Sequence, residues 1–533
     1  PKFKFNRHLS VSEHFVLTLV NTNEIYYLPI NGVPTFTVDG LEEGVQLENL
    51  VQSRASSQTA IQSDTRVEWQ NRYGAHSIDF KGGVRYASSE YNLTSQKGYN
   101  TGNDKTPQMG TSLRFKDTTG ADDEVRDITW YGLADYNYAN RFYVNAGLSA
   151  QASSRFGDDA DGLQVFGVVW GLFPSVEAAW VLTNEKWLAG VKGIDYLRLN
   201  AGFDVTGNDD INYTASRTYF ASQRMLGSDA VGLVLGNIGN TSLQWETTRR
   251  LTGGLEGNFF NNRLNVRLNV FKSWTSNLLT LRQLAWTSGL VQNWSNAGKL
   301  ENAGFDVSLG VKVLNLKDFR WEMGASMGHY NNKVTALPDG DRSFETNVYG
   351  ATILTQVGQP VGVFYGYKAD GVYAREADAK ADGLYIKKIN NEKEYFQAGD
   401  MRFLDLYNDP ADPGLIDEND RTVIGNPNPD IYGNIFTKFN WKNFTLQAVF
   451  NYSLGNDIFN YQRSLLEGGC YFMNQTTAMN NHWRVEGQEA SLPRVSYDDP
   501  MGNSRFSDRW IEDGSYLRLK SVTLSYDLPL NNE

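Results

Sequence analysis

One cysteine, five histidines and 14 prolines in 533 residues are what this sequence has least of. With Cys470 alone, no internal disulfide forms and a thiolate zinc site lacks ligands. Avoiding thiols suits an oxidising compartment, a trait shared with many thiol-poor cytosolic chains. His8, His14, His76, His329 and His482 are scattered, and none has the spacing of a helical His-Glu-x-x-His metal site. Cations are the minority charge, 49 Lys and Arg against 61 Asp and Glu, for a net −12. Without a basic stripe, nucleic acid is excluded as a partner. No apolar run reaches the roughly 20 residues of a spanning helix. That rules out a helical membrane bundle but leaves open a barrel, whose strands need only about 9–11 residues with every second one apolar. Gly232 to Gly239 lacks the Lys of a phosphate loop, and no Ser, His and Asp set stands out. No catalytic or cofactor-binding residue is therefore assigned. Pro1-Lys2-Phe3 opens directly into alternating sequence with no leader-like segment, so the chain is taken as a mature chain or, preferably, a fragment.

What is abundant is aromatic: 28 Tyr, 28 Phe and 13 Trp. The rings sit in alternating segments that reverse at very short turns. Trp130 to Tyr138 turns at Ala139-Asn140 and returns as Phe142 to Ala150. Equivalent turns fall at Asn261-Asn262, Lys317-Asp318 and Lys442-Asn443. Between hairpins lie long polar stretches, 207–242, 331–432 and 455–514. Short turns at one end and long loops at the other are what an outer-membrane barrel requires. In Phe444 to Ser453 one face carries Phe444, Leu446, Ala448, Phe450 and Tyr452, and the other Thr445, Gln447, Val449, Asn451 and Ser453. A soluble β-sandwich shows the same alternation, with its apolar face inward. Two features favour the barrel: loops segregate by length, and large rings crowd the tight turns (Tyr136, Tyr138, Phe142, Tyr143, Phe259, Phe260, Phe319, Trp321, Phe439, Trp441, Phe444), as an interfacial girdle predicts.

Elsewhere the pattern is coarser. Val11 to Val20 and Glu24 to Ile30 read as strands, while 33–50 is too irregular to place. Thr65 to Trp69 and Ile78 to Tyr86 read as a hairpin closed by Asn71-Arg72-Tyr73-Gly74, Ser88 to Asp127 as a polar outward loop, and Phe173 to Leu182 with Tyr196 to Val205 as a further pair.

Several segments resemble the SusC-like subfamily of TonB-dependent outer-membrane transporters of Bacteroidota. They include Ser153-Ser154-Arg155-Phe156-Gly157, Phe173-Pro174-Ser175-Val176, Ala179-Trp180 and Val205-Thr206-Gly207-Asn208. Leu243-Gln244-Trp245-Glu246-Thr247-Thr248 and Asn296-Ala297-Gly298 with Glu301-Asn302-Ala303-Gly304-Phe305 are similar to the family's strand starts. The most specific block runs Val357-Gly358-Gln359-Pro360-Val361-Gly362-Val363-Phe364-Tyr365-Gly366-Tyr367, then Asp370-Gly371-Val372-Tyr373. It resumes at Gly399-Asp400 and at 416–430, followed by Gly455-Asn456-Asp457-Ile458-Phe459-Asn460 and Trp510 to Lys520. The resemblance covers most of the chain from about Gly147 onward, in family order. It implies an all-β fold, a transmembrane antiparallel barrel that is part of a 22-stranded whole. Residues 1–533 would then be an incomplete barrel domain, with the N-terminal plug, the TonB box and the final strands unrecognisable in this sequence, and with 331–432 and 455–514 as extracellular loops. Arg375 to Ala398 departs from the family and reads as an insertion in a loop, outside the membrane.

The family implies a function without covalent chemistry. Cargo, a glycan or peptide oligomer, is captured under a SusD-like surface lipoprotein acting as a lid, and TonB pulls on the plug. Partners are then that lipoprotein, TonB, the bilayer or lipopolysaccharide, and the oligomer. A passive porin and a soluble glycan-binding β-protein are the rival classes. One oxygen-rich loop, Asp405, Asn408, Asp409, Asp412, Asp417 and Asp420, has the ligand chemistry of Ca²⁺, which takes six to eight oxygens. Interrupted by Pro410 and Pro413 and without an EF-hand pattern, it reads first as a solvated acidic loop and only second as a calcium site. Trp286, Trp294, Tyr349, Phe364, Tyr365 and Tyr471 are candidates to touch cargo or lid, against the alternative that they pack loops or a girdle.

Overall fold

The computed structural model describes all residues except 33–34, 36–45, 106–114, 189, 225–230, 285, 291 and 529–533. Two compact units divide the chain. The first is Pro1–Trp180, Gly202–Arg249 and Asn277–Asn296; the second is Val181–Ala201, Arg250–Ser276 and Ala297–Glu533.

In the first unit Lys2–Lys4, Leu9–Leu28, Leu50–Tyr73, His76–Tyr99, Phe115–Tyr138, Phe142–Ser153 and Val168–Val181 pair antiparallel, each with the next. Register follows from the turns. Ala139 and Asn140 both take positive φ (51° and 56°), and Arg141 N–H donates to the Tyr138 carbonyl, giving a mirror-type turn whose twist matches the strands. Asn adopts that conformation at little cost; Ala139 does so because the paired strands on both sides fix it. Gly74, at φ 60°, closes the preceding hairpin between Tyr73 and His76.

In-register pairing stacks like with like on each face. One row reads Trp69, Phe80, Ala134, Ala146 and Val176; the next, toward the turns, reads Ile78, Tyr136, Val144 and Ala178. The row at the turns is His76, Tyr138, Phe142 and Trp180, with the Phe142 and Trp180 rings stacked at 5.9 Å. The opposite face reads Arg66, Gly83, Tyr131, Ser149 and Phe173 in one row and Asp64 and Arg85 beside it.

The second unit repeats the plan with Leu264–Ser276, Lys299–Asn315, Phe319–Ala336, Ile431–Trp441, Phe444–Leu454 and Tyr516–Tyr526. Its apolar rows are Val266, Leu309, Ala325, Ile435 and Phe450, then Trp321, Phe439, Leu446 and Leu524. The row at the turns is Phe319, Trp441, Phe444 and Tyr526, with ring centroids of 6.1 Å for Trp441–Phe444 and 4.6 Å for Phe444–Tyr526. From Phe444 to Tyr452 is about 26 Å at about 3.3 Å per residue, which suits a hydrocarbon band about 25 Å tall.

Among the described residues nothing covers this apolar face. Phe444 is 43% exposed, Leu446 41% and Leu309 45%. A sandwich would bury these side chains against a second sheet, and leaving them in water forfeits roughly 1.5–3 kcal/mol each. The buried core lies in the loops instead. In the first unit Phe156, Ile211, Leu243 and Trp245 pack together; in the second Tyr373, Phe396, Met401, Phe403 and Met501 do.

Two expectations change. Val11 to Ile30 is not two strands but one, Leu9–Leu28. Ser88 to Asp127, expected as a loop, is mostly strand: His76–Tyr99 and Phe115–Tyr138 pair in register out to Tyr99 and Phe115, with 106–114 outside the described residues. One face is polar there (Glu90, Asn92 and Gln96 opposite Glu124, Asp122 and Thr118) and the other mixed (Ser89, Tyr91, Leu93 and Ser95 opposite Val125, Asp123, Ala121 and Thr119), so pairing persists where a clean apolar alternation disappears. Arg375 to Ala398, expected as a loop insertion, is a folded one: the helix Glu376–Asp382 and the hairpin of Tyr385–Lys387 with Lys393–Tyr395 bury Ala379, Tyr385 and Phe396.

Because lipid takes the place of a second sheet, charge is tolerated on one face only. Leu309→Arg should cost about 2–4 kcal/mol in guanidinium unfolding from lipid vesicles, and its neighbour Ser308→Arg under about 1 kcal/mol.

Candidate functional site

The polar face of the first unit holds an organised charge cluster. Asp64, almost fully buried, accepts from the Tyr131 hydroxyl at 2.6 Å, from Arg85 Nη2 at 3.2 Å and from Arg66 Nη2 at 3.3 Å. Arg66 Nε donates to the Tyr131 oxygen at 3.1 Å. The lattice of contacts needs Gly83: a Cβ there would lie 2.6 Å from the Tyr131 hydroxyl and 2.5 Å from the Thr65 carbonyl. Gly147 does the same for Ser175 and Leu133, at 2.6 and 2.9 Å. Gly147 also lines a cavity of about 410 Å³ walled by Arg66, Lys81, Arg85, Tyr131, Leu133 and Phe173.

The long loops of the second unit are folded, not loose. Asp400 has no exposed surface and receives Arg494 in a two-pronged pair, Nε at 2.8 Å and Nη2 at 3.1 Å. Asn503 Nδ2 donates to it at 2.9 Å, and the Gln397 amide at 2.9 Å. Asn503 returns its own oxygen to the Met401 N–H at 2.7 Å. One carboxylate thus joins segments 94 and 103 residues apart. Beside it the Arg505 guanidinium lies between the Tyr367 and Phe403 rings at 4.8 and 4.7 Å and donates to the Met501 and Gly502 carbonyls. Burial pushes its pKa down. Burial and the neighbouring Arg463 lower Arg509 to about 10, with its guanidinium 4.1 Å from the Trp510 ring.

The acidic loop spends its carboxylates on its own backbone. Asp405 accepts from the Asn408 and Gly414 amides, and Asp409 from Ala411. Asp417 accepts from Asn419, and Asp420 from Leu406, Tyr407 and Asp417. Asp412 pairs with Lys387 at 2.5 Å and with the Tyr385 hydroxyl at 3.2 Å. Among the described residues no three His, Cys, Asp or Glu gather as a metal site. The aromatics divide. Trp294 packs against the first unit's loop core and Phe364 is buried, 6.4 Å from Phe506. Tyr365 lies under the Arg421 guanidinium at 5.2 Å. Tyr349, at a hairpin tip with φ 52°, is 76% exposed and 5.1 Å from Tyr461. Tyr471 is exposed, next to the exposed pair Phe472 and Tyr497 at 5.0 Å. Trp286 begins a short turn, Trp286–Ser288, and its side chain is outside the described residues. Sequence reasoning missed Phe472, Tyr497 and the Asp64 and Asp400 clusters. For Asp64 the signal was present, since Asp64, Arg66 and Glu68 alternate with Thr65, Val67 and Trp69.

An uncovered apolar face bounded by rings, backed by a charged face and fed by folded loops, defines a β-barrel protein of the outer membrane. A family model described as TonB dependent receptor-like, beta-barrel, matches residues 17–385, and the chain belongs to that family. Within it the chain is SusC-like. TonB-dependent receptor P3 of Formosa agariphila is 28% identical over 485 residues, 88% of this chain and 45% of that protein. TonB-dependent receptor SusC of Bacteroides thetaiotaomicron is 25% identical over 410 residues, 75% of this chain and 37% of that protein. The RagAB peptide importer in its closed-closed state has the same fold, with a TM-score of 0.76 at 21% identity over 99% of this chain and 54% of that one. The chain spans about half the length of the relatives it matches.

The Asp400 pair makes the loop core sensitive to one substitution. Arg494→Met leaves a buried carboxylate unpaired and should loosen the module by about 3 kcal/mol. Faster hydrogen exchange at the Met401 and Tyr373 amides would report it, and Asp400→Asn in the same chain should restore much of the protection.

Proposed function

We propose that this chain forms the wall and gripping loops of an energised outer-membrane importer of glycan or peptide oligomers. The observation that supports it most is the pairing of two faces on one set of strands, one fit for lipid and one carrying charge. A passive pore shares those faces; the folded loop module of the second unit favours an importer, because a rigid platform can hold cargo and a lid. In this proposal 331–432 and 455–514 face outward, and a SusD-like lipoprotein closes over them. TonB supplies force from the proton gradient through a plug outside this sequence. Tyr349, at a hairpin tip, and Tyr471, both exposed, are the two aromatic candidates best placed to touch cargo or lid. The polar face supplies hydrogen-bonding partners, not a nucleophile and base, so no covalent step is assigned.

Uptake of labelled oligomers by the native cell, with glycan and peptide pools in separate arms, tests this. A protonophore should cut uptake at least tenfold, and the detergent-solubilised protein should bring down a surface lipoprotein. Protonophore-insensitive uptake would assign a passive pore instead. The acidic loop enters as a set of self-capping turns. Chelation by EGTA should leave its thermal melting unshifted, whereas a fall of several degrees would make Asp405, Asp409, Asp417 and Asp420 a structural Ca²⁺ site.

A further inference from the structure

We infer that the cavity on the polar face of the first unit is a seat for a carboxylate. This rests on the outer-membrane assignment, which turns that face inward, and not on the energy source of transport. Three cations, Arg66, Lys81 and Arg85, line it, and no carboxylate does. Asp64 answers both guanidiniums, but with one charge, and through only Nη2 of each. It holds them in fixed orientation from one side, with the Tyr131 hydroxyl wedged against Arg66 Nε. Arg66 Nη1, the remaining donors of Arg85 and the whole Lys81 ammonium make no further hydrogen bond or ion pair among the described residues. The Arg66 and Arg85 side chains are 40% and 49% exposed. Glu68, opposite Lys81 across the strands, is taken by Lys2 at 2.6 Å.

Two pre-aimed guanidiniums favour a planar, doubly accepting anion over a hydroxyl, which makes a sugar ring without acid groups a poor fit. Leu133 and the Phe173 ring complete the wall with an apolar surface, suited to a short hydrocarbon stem. At about 410 Å³ the cavity admits a side chain or one monomer, not an oligomer. A carboxylate on a short stem meets all three conditions. Its source is either the transported oligomer or another segment of the full-length protein.

The test uses the full-length protein in detergent, with hexaglutamate as probe and hexaserine as its neutral counterpart. Variants are Lys81→Gln, which leaves Asp64 paired, and Arg85→Gln together with Asp64→Asn, which removes that pair whole. If cargo fills the seat, hexaglutamate affinity falls at least tenfold in both variants and hexaserine is indifferent. If the protein's own chain fills it, hexaglutamate does not bind, both variants melt lower without ligand, and 1 M salt removes the difference. Unchanged affinity with unchanged melting, or an equal loss for both peptides, overturns the seat. Protonophore sensitivity of uptake is a separate outcome, so either idea can fail without the other.

Discussion

Every strand here depends on the same bond, an N–H of one strand donated to a carbonyl of the next. In hydrocarbon no water replaces a lost partner, and each unsatisfied group costs several kcal/mol. Antiparallel register from turn to turn is therefore the condition for everything else. It is also what sorts the side chains, because a shift of one residue would move Leu309, Ala325 and Ile435 to the face now held by Ser308, Gly324 and Asn434. The tight turns guard that register, and their positive-φ residues, Asn140, Asn261, Asn262 and Lys442, are the cost of making them short.

With the backbone satisfied, side chains on the two faces meet different demands. The lipid side needs only apolar volume and, near the turns, rings with a polar tip such as Trp441 and Tyr526. On the other side a charge must be answered by a partner. Asp64 and Asp400 solve this in the same way, Asp64 on the strands with Arg66, Arg85 and Tyr131, Asp400 in the loops with Arg494 and Asn503. Glycine makes both close approaches feasible. Gly83 clears room for Tyr131, and a Cβ on Gly399, at φ 87°, would lie 2.4 Å from the Trp483 ring.

The hairpins, the ring-rich turns and the separation of faces could be read from the sequence because each leaves a local trace with period two. Cross-strand length could not. In 88–99 and 115–127 neither face is apolar, so a strand and a loop have the same composition, and only the partner strand makes the difference. The loop core failed for another reason. Phe396 and Phe403 meet Met501 from about a hundred residues away, and no spacing tells a ring that is buried from a ring, such as Tyr349 or Phe472, that stays exposed. The acidic loop shows the limit of ligand chemistry as a guide, since oxygen atoms that suit a cation suit backbone amides equally well.

The extra reach of the first unit has a mechanical side. Beyond Val84 the strand His76–Tyr99 continues for about 50 Å at about 3.3 Å per residue, well past any hydrocarbon. A ladder of that length, hydrogen-bonded on both flanks and wet on both surfaces, behaves as a stiff parapet where a flexible fringe would collapse. The ends at Tyr99 and Phe115 are thereby carried at a fixed distance from the turn between Tyr138 and Phe142.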